Sequence, residues 1–126
     1  MKNQDRTKAV TVFTRTNYFE LFAYFDTASN AKESLKFVVI DDSPGLTTLP
    51  SLPEWVPNLI VRNCPDLKRI TQLPAKLSLL SIDNCPQLTH VEGKVIDVRT
   101  LAVRDCRKFE IQPDQYLTCR FVNEQA

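Results

Sequence analysis

Apolar positions recur along this chain at two nested spacings, every second position within short stretches and a 21-residue interval between them. Val38 and Ile40 alternate with their neighbours, and the alternation returns as Leu59/Val61, Leu80/Ile82 and Leu101/Val103. A period of two is that of a strand with one buried face. Three residues ahead of each pair stands Leu35, Val56, Leu77 or Val98, while Leu49, Ile70 and Val91 follow in the same frame. A core pattern kept in phase over four units predicts four short strands in parallel, stacked because one unit cannot bury its apolar face alone.

The polar positions repeat in the same frame. Asn63-Cys64-Pro65-Asp66-Leu67 matches Asn84-Cys85-Pro86-Gln87-Leu88, with echoes in Asp42-Ser43-Pro44-Gly45-Leu46 and Asp105-Cys106-Arg107-Lys108-Phe109. These read as turns that end each strand. Pro50, Pro53 and Pro74 fall in the return segments, where proline excludes mid-helix geometry and favours extended or turn backbone. A 21-residue unit has no room for a strand, two turns and a long helix. The prediction is a parallel sheet backed by thin irregular or 3₁₀ segments.

This pattern resembles the leucine-rich repeat family over roughly residues 35–112. The unit Val56-x-x-Leu59-x-Val61-x-x-Cys64-x-x-Leu67-x-x-Ile70 fits the general motif, with Cys at its Asn/Cys position. The Leu49-Pro50, Leu52-Pro53 and Leu73-Pro74 dyads look like the short repeats of delivered bacterial effectors. The Cys-Pro-x-Leu segments look like those of plant immune-receptor repeats. The resemblance implies an α/β solenoid with a right-handed parallel sheet, a concave face that binds another macromolecule, usually a protein, and inward-pointing Cys side chains. Residues 35–126 would form the solenoid, about four repeats and a terminal strand.

Residues 1–34 read as an N-terminal tail and cap, with a degenerate first repeat as the alternative. Met1–Lys8 is polar and reads as a frayed tail. Ala9–Thr14 alternates like a strand. Tyr18–Phe25 fits two templates: a helix gathering Tyr18, Leu21, Phe22 and Phe25, or a strand returning on Ala9–Thr14. Carrying the 21-residue frame upstream puts Phe19, Phe22 and Phe25 on core slots. Ser29–Ser34 adds a helical turn. Leu117–Phe121 reads as a last strand at a shorter interval, and Asn123–Ala126 as a polar end cover.

The frame also defines an outward face. Its columns are Phe37, Asn58, Leu79 and Thr100; then Val39, Ile60, Ser81 and Ala102; then Asp41, Arg62, Asp83 and Arg104. The last alternates in sign across strands that lie about 4.8 Å apart. Such a ladder satisfies its charges internally, so exposed cross-strand pairing comes before a charged recognition stripe as its explanation. Phe37, Val39, Ile60 and Leu79 put apolar groups on the side that should be wet. Either residues 1–34 fold over them, or the first strands are buried on both faces, or they mark a partner site. The candidate partner-binding set is therefore Phe37, Val39, Asp41, Ile60, Arg62, Leu79, Asp83 and Arg104.

Composition narrows the chemistry. Sixteen Lys+Arg against 15 Asp+Glu leave a net charge of +1, which argues against nucleic acid or an anionic membrane as partner. Gly45 and Gly93 are too far apart to cradle a phosphate. Four Cys with a single His, His90, lack zinc-ligand spacing, so no metal or other cofactor is expected. Cys119 and His90 alone do not make a catalytic pair. Trp55 lies on the bend into a strand, where packing under Pro57 is the first reading. No apolar leader follows Met1–Arg6, and Phe37–Ile40 is far too short to span a membrane. A reducing cytosol is expected, and a delivered effector without a cleavable leader would look the same. The function expected is non-enzymatic binding or inhibition of a partner protein by a monomer. A self-assembling structural subunit is the alternative.

Overall fold

Strand by strand, the alternation becomes one sheet. The computed structural model describes residues 10–27, 36–52, 54, 56–71, 73–74, 76–89, 91, 97–110 and 120–124. In chain order its elements are β1 (Val10–Thr14), α1 (Tyr18–Thr27), β2 (Phe37–Asp41), β3 (Thr48–Leu49), β4 (Asn58–Arg62), β5 (Arg69–Ile70), β6 (Lys76–Asp83), β7 (Asp97–Arg104) and β8 (Arg120–Glu124). Six of these pair in parallel in the order β1-β2-β4-β6-β7-β8, so each long strand lies beside the next one in sequence. The register aligns Val38, Leu59, Leu80 and Leu101 in one row and Ile40, Val61, Ile82 and Val103 in the next. All eight are buried. Each such side chain contributes about 1.5–3 kcal/mol by leaving water, and this one continuous core is what holds the strands side by side.

Behind the sheet the return segments run extended. β3 pairs with β5 through Leu49 and Ile70, and a bridge joins Ile70 to Val91. These three, with Leu52, Val56, Leu73, Leu77 and Val98, are buried. The described returns between β2 and β7 contain no 3₁₀ turn, and the expected thin backs are these short strand pairs. β4 starts later than β6 and β7, at the residue after Pro57. Proline has no N–H for a ladder, and the Pro57 carbonyl instead accepts from Ser78 N–H at 2.8 Å.

Each strand from β2 to β7 that belongs to the large sheet ends in the same way. Asp42, Asn63, Asn84 and Asp105 take positive φ (49°, 56°, 55° and 54°), a conformation that Asn and Asp tolerate best among residues with a Cβ. The next residue, Ser43, Cys64, Cys85 or Cys106, is buried and opens a tight turn. Its carbonyl accepts the N–H of Leu46, Leu67, Leu88 or Phe109 at 3.1–3.3 Å. Proline follows the first three, at the turn position whose φ it presets.

The N-terminal segment departs from the 21-residue frame. β1 lies in the large sheet beside β2, and Val10 pairs with Phe37, 27 positions on. Arg15 occupies the left-handed position (φ 52°) and Thr16 the buried one. The longer interval accommodates α1. Asn17 caps this helix, its Oδ1 accepting Glu20 N–H at 2.9 Å, while Glu20 accepts from the Thr16 hydroxyl at 2.9 Å. Of the two templates for Tyr18–Phe25, the helix is the one formed. Leu21 and Phe25 are buried, and Phe13 meets Tyr24 and Phe25 edge-on at 5.1 and 6.4 Å. Phe19 and Phe22, expected on core slots, are instead 79% and 54% exposed. Helical spacing turns Phe19 away from the face that carries Leu21 and Phe25, whereas Tyr18 and Phe22, gathered with them by the helical template, lie at the exposed border of that face and stack on each other at 6.4 Å.

At the other end Thr100 pairs with Arg120, one position short of the repeat interval, and β8 continues through Asn123 and Glu124, which were expected as end cover. Met1–Lys8, Ser29–Ser34, Leu35, Trp55 and Leu117–Cys119 lie outside the described residues.

Arg15 is the one long, charged side chain holding the left-handed turn, and its ion pair with Asp42 is exposed and 4.0 Å long. Arg15→Asn should therefore raise stability, by about 0.5–1 kcal/mol in urea unfolding, because Asn adopts this φ more readily. Arg15→Val should lower it by at least as much.

Candidate functional site

The candidate residues all lie on the large sheet, and the register brings them onto one face. Phe37 neighbours Asn58, which neighbours Leu79. Val39 neighbours Ile60, and Asp41, Arg62, Asp83 and Arg104 follow one another across four strands. Phe37, Ile60 and Leu79 are half-buried. Val39 is the exception to the expected wet face, because only 6% of its surface remains accessible. It sits in an interior strand with Val12 and Ile60 as register partners on either side, so neighbouring side chains flank it.

β1 adds positions that the 21-residue frame missed. Val10 stands in the Phe37 column, Val12 in the Val39 column and Thr14 in the Asp41 column. Val10 and Val12 are 45% and 53% exposed. They extend the face on the side where a cover by residues 1–34 was one of the three readings. The available signal was Thr14-Arg15-Thr16, which parallels Asp41-Asp42-Ser43 at an interval lengthened to 27. An apolar strip thus runs from Val10 and Val12 through Phe37 and Ile60 to Leu79.

One border of that strip is charged and ordered by hydrogen bonds. Arg62 Nε lies 3.1 Å from Asp41 Oδ2. Asn63 donates to Asp41 Oδ1 at 3.0 Å, and Asn84 donates to Asn63 Oδ1 at 2.9 Å, so the turn side chains form their own ladder. The hydrogen bond from Asn63 chiefly holds the Asp41 carboxyl below its ordinary 3.8; burial opposes it next in size, and Arg62 adds to the lowering. Arg62 and Asp83, and Asp83 and Arg104, are register neighbours of opposite sign. At the opposite border Asn58 Nδ2 donates to the Lys36 carbonyl at 2.8 Å.

Beneath the charged border runs the cysteine column. Sγ of Cys64, Cys85 and Cys106 donates to the carbonyls of Arg62, Asp83 and Arg104 at 3.3, 3.5 and 3.2 Å. Ser43 Oγ makes the same bond to Asp41 at 3.0 Å and accepts Thr16 N–H at 3.1 Å. Cys106 Sγ also accepts Cys85 N–H at 3.4 Å. The three thiols are free and buried. Hydrogen bonding with Cys106, then with Cys64, and burial together push the Cys85 thiol far above its ordinary value. Among the described residues no group of His, Cys, Asp and Glu is arranged to hold a metal ion. The Cys119–His90 pair lies outside them.

A separate open groove of about 630 Å³ lies at the entry ends of β4, β6 and β7, lined by Glu54, Val56, Pro57, Lys76, Leu77, Ser78, Asp97 and Arg99. None of the candidate residues lines it, and its four charges balance. Among the described residues no helix is long and apolar enough to cross a membrane. Comparison with family models, with curated proteins and with solved structures finds no match to this chain.

Two outcomes follow from these bonds. Because the folded-state carboxyl of Asp41 titrates below its unfolded value, its contribution is present above that value and disappears as pH falls through the folded one. Between about pH 5 and about pH 2, Asp41→Asn should lose less stability than the parent chain, measured by thermal unfolding. Cys85 should resist a maleimide in the folded protein and react at a rate that follows unfolding in urea, read by peptide mass spectrometry. Native labelling as fast as that of an exposed thiol would contradict its position.

Proposed function

We propose that this chain is a short leucine-rich-repeat solenoid without enzymatic activity, which binds or inhibits a partner protein through the outward face of its large sheet. The observation that carries this reading is the apolar strip of Val10, Val12, Phe37, Ile60 and Leu79, spread over four adjacent strands, with Val10 and Val12 exposed and the other three half-buried. Apolar groups contiguous over a sheet face lose free energy in water and gain it against a complementary apolar surface. The Asp41-Arg62-Asp83-Arg104 border supplies orientation rather than affinity, since its alternating charges select a partner carrying the reverse order. A net charge of +1 favours a protein over nucleic acid as that partner. The Leu-Pro dyads support a delivered bacterial effector working in a reducing cytosol, its target a host or competitor protein.

Capture from candidate host lysates tests this reading with paired variants. Ile60→Asp with Leu79→Asp should abolish recovery of the partner while the far-UV circular dichroism spectrum stays that of the parent. Val12→Asp, at a more exposed position, should weaken recovery by about tenfold or more. Equal recovery by all three proteins would remove the face as the binding site.

A further inference from the structure

The large sheet has an open edge at β1 whose chemistry is self-complementary. Among the described residues β1 is the first strand of the sheet order and pairs on one side only, with β2. Its sequence, Val10-Thr11-Val12-Phe13-Thr14, contains no charge, proline or glycine. Those are the features by which edge strands ordinarily prevent pairing. The opposite edge, β8, begins with Arg120 and ends with Glu124.

The direction of the free main-chain groups follows from one bond. Arg15 N–H points toward β2, donating to the Asp42 carbonyl at 3.0 Å. Peptide groups alternate along a strand, so the N–H and C=O groups of Val10, Val12 and Thr14 point to the open edge. Their side chains stand on the exposed face, where Val10 and Val12 keep 45% and 53% of their surface accessible.

We propose that this edge pairs antiparallel with the same edge of a second copy of the chain, about a two-fold axis at Val12, to form a closed dimer. In that register Val12 exchanges both main-chain bonds with its counterpart, and Val10 exchanges them with Thr14 of the other copy. Every outward group of β1 then has a partner. The axis runs perpendicular to the sheet, so both apolar strips lie on the same side and join into one surface, with Val12 beside Val12 and Val10 beside Thr14. A two-fold contact closes on itself, whereas a head-to-tail contact between β1 and β8 would propagate without end. The strand is only five residues long. Its contact falls short of the roughly 800 Å² per partner typical of tight complexes, so the dimer forms reversibly at high concentration. This inference does not depend on the solenoid assignment or on partner binding.

Sedimentation equilibrium from about 10 μM to about 1 mM is the test, over a range suited to a weak contact. The mass should rise from 14.4 kDa toward twice that value and stop there. Amide exchange of the parent chain should slow at Val12 and Thr14 as the dimer fills. Val12→Pro removes an N–H that faces the open edge and leaves the β2 pairing intact. Val12→Lys puts two like charges at the axis on an already exposed position. Each should raise the dissociation constant at least tenfold, a shift of about 1.4 kcal/mol or more. Ile60→Asp with Leu79→Asp should leave dimerisation unchanged, so a failure here is distinct from a failure of the binding-face reading. A monomer over the whole range, species larger than a dimer, or a dimer without protection at Val12 and Thr14 would each overturn the proposal.

Discussion

Each strand of the large sheet from β1 to β7 has to leave the sheet without stranding buried main-chain groups, and the rest of the structure depends on how it does so. The chain turns through one left-handed residue and places a small side chain inside, beneath the last peptide groups of the strand. The carbonyls of Arg62, Asp83 and Arg104 accept the N–H groups of Asp42, Asn63 and Asn84 at 2.9–3.2 Å, and the sulfurs of Cys64, Cys85 and Cys106 add a second donor at 3.2–3.5 Å. Ser43 Oγ, which donates to the Asp41 carbonyl at 3.0 Å, accepts Thr16 N–H, and Cys106 Sγ accepts Cys85 N–H. Without these acceptors the buried N–H groups of Thr16 and Cys85 would each cost about 1–3 kcal/mol, comparable to the burial of a core aliphatic. The five slots hold Thr16, Ser43, Cys64, Cys85 and Cys106, each a small side chain with an oxygen or sulfur, and all five are buried. That explains why three of the four cysteines stand at one interval and why their role is structural.

The same turn orders the exposed face. The left-handed residue projects Asn63 and Asn84 along the sheet border, where they bond to Asp41 and to each other. Asp41 is thereby held toward Arg62, and the charged column becomes a fixed rim on an apolar strip. Of the residues that the sequence nominates for partner binding, seven keep accessible surface and Val39 does not. The strip shifts instead toward β1, through Val10 and Val12.

Where period and spacing coincide, the sequence was readable. The inward pairs, the turn residues and the face columns all follow from alternation and a constant 21-residue interval. They were visible because each stacked unit meets the same neighbours and so needs the same side chains. Legibility fails where the interval changes. The step from β1 to β2 is longer and holds a helix, and in the 21-residue frame Phe19 and Phe22 fall on core slots that they do not fill. No local signal fixes such an interval, since Tyr18–Phe25 satisfies both a helical and an extended template. Phe13 packing on Tyr24 and Phe25, with the Asn17 cap, settles it only once β1 lies beside β2.

The sequence by itself determined which alternating side chains enter the core and where each turn falls. These are nearest-neighbour properties, repeated four times in one frame, and period alone reveals them. Tertiary structure decided that β1 belongs to the sheet, that Val39 is buried while Val12 is exposed, and that among the described residues an uncharged strand stands first in the sheet order. Those outcomes depend on which strand lies beside which. The pairing of Val10 with Phe37, across an interval that the repeat does not contain, is a contact in space, and no spacing along the chain encodes it.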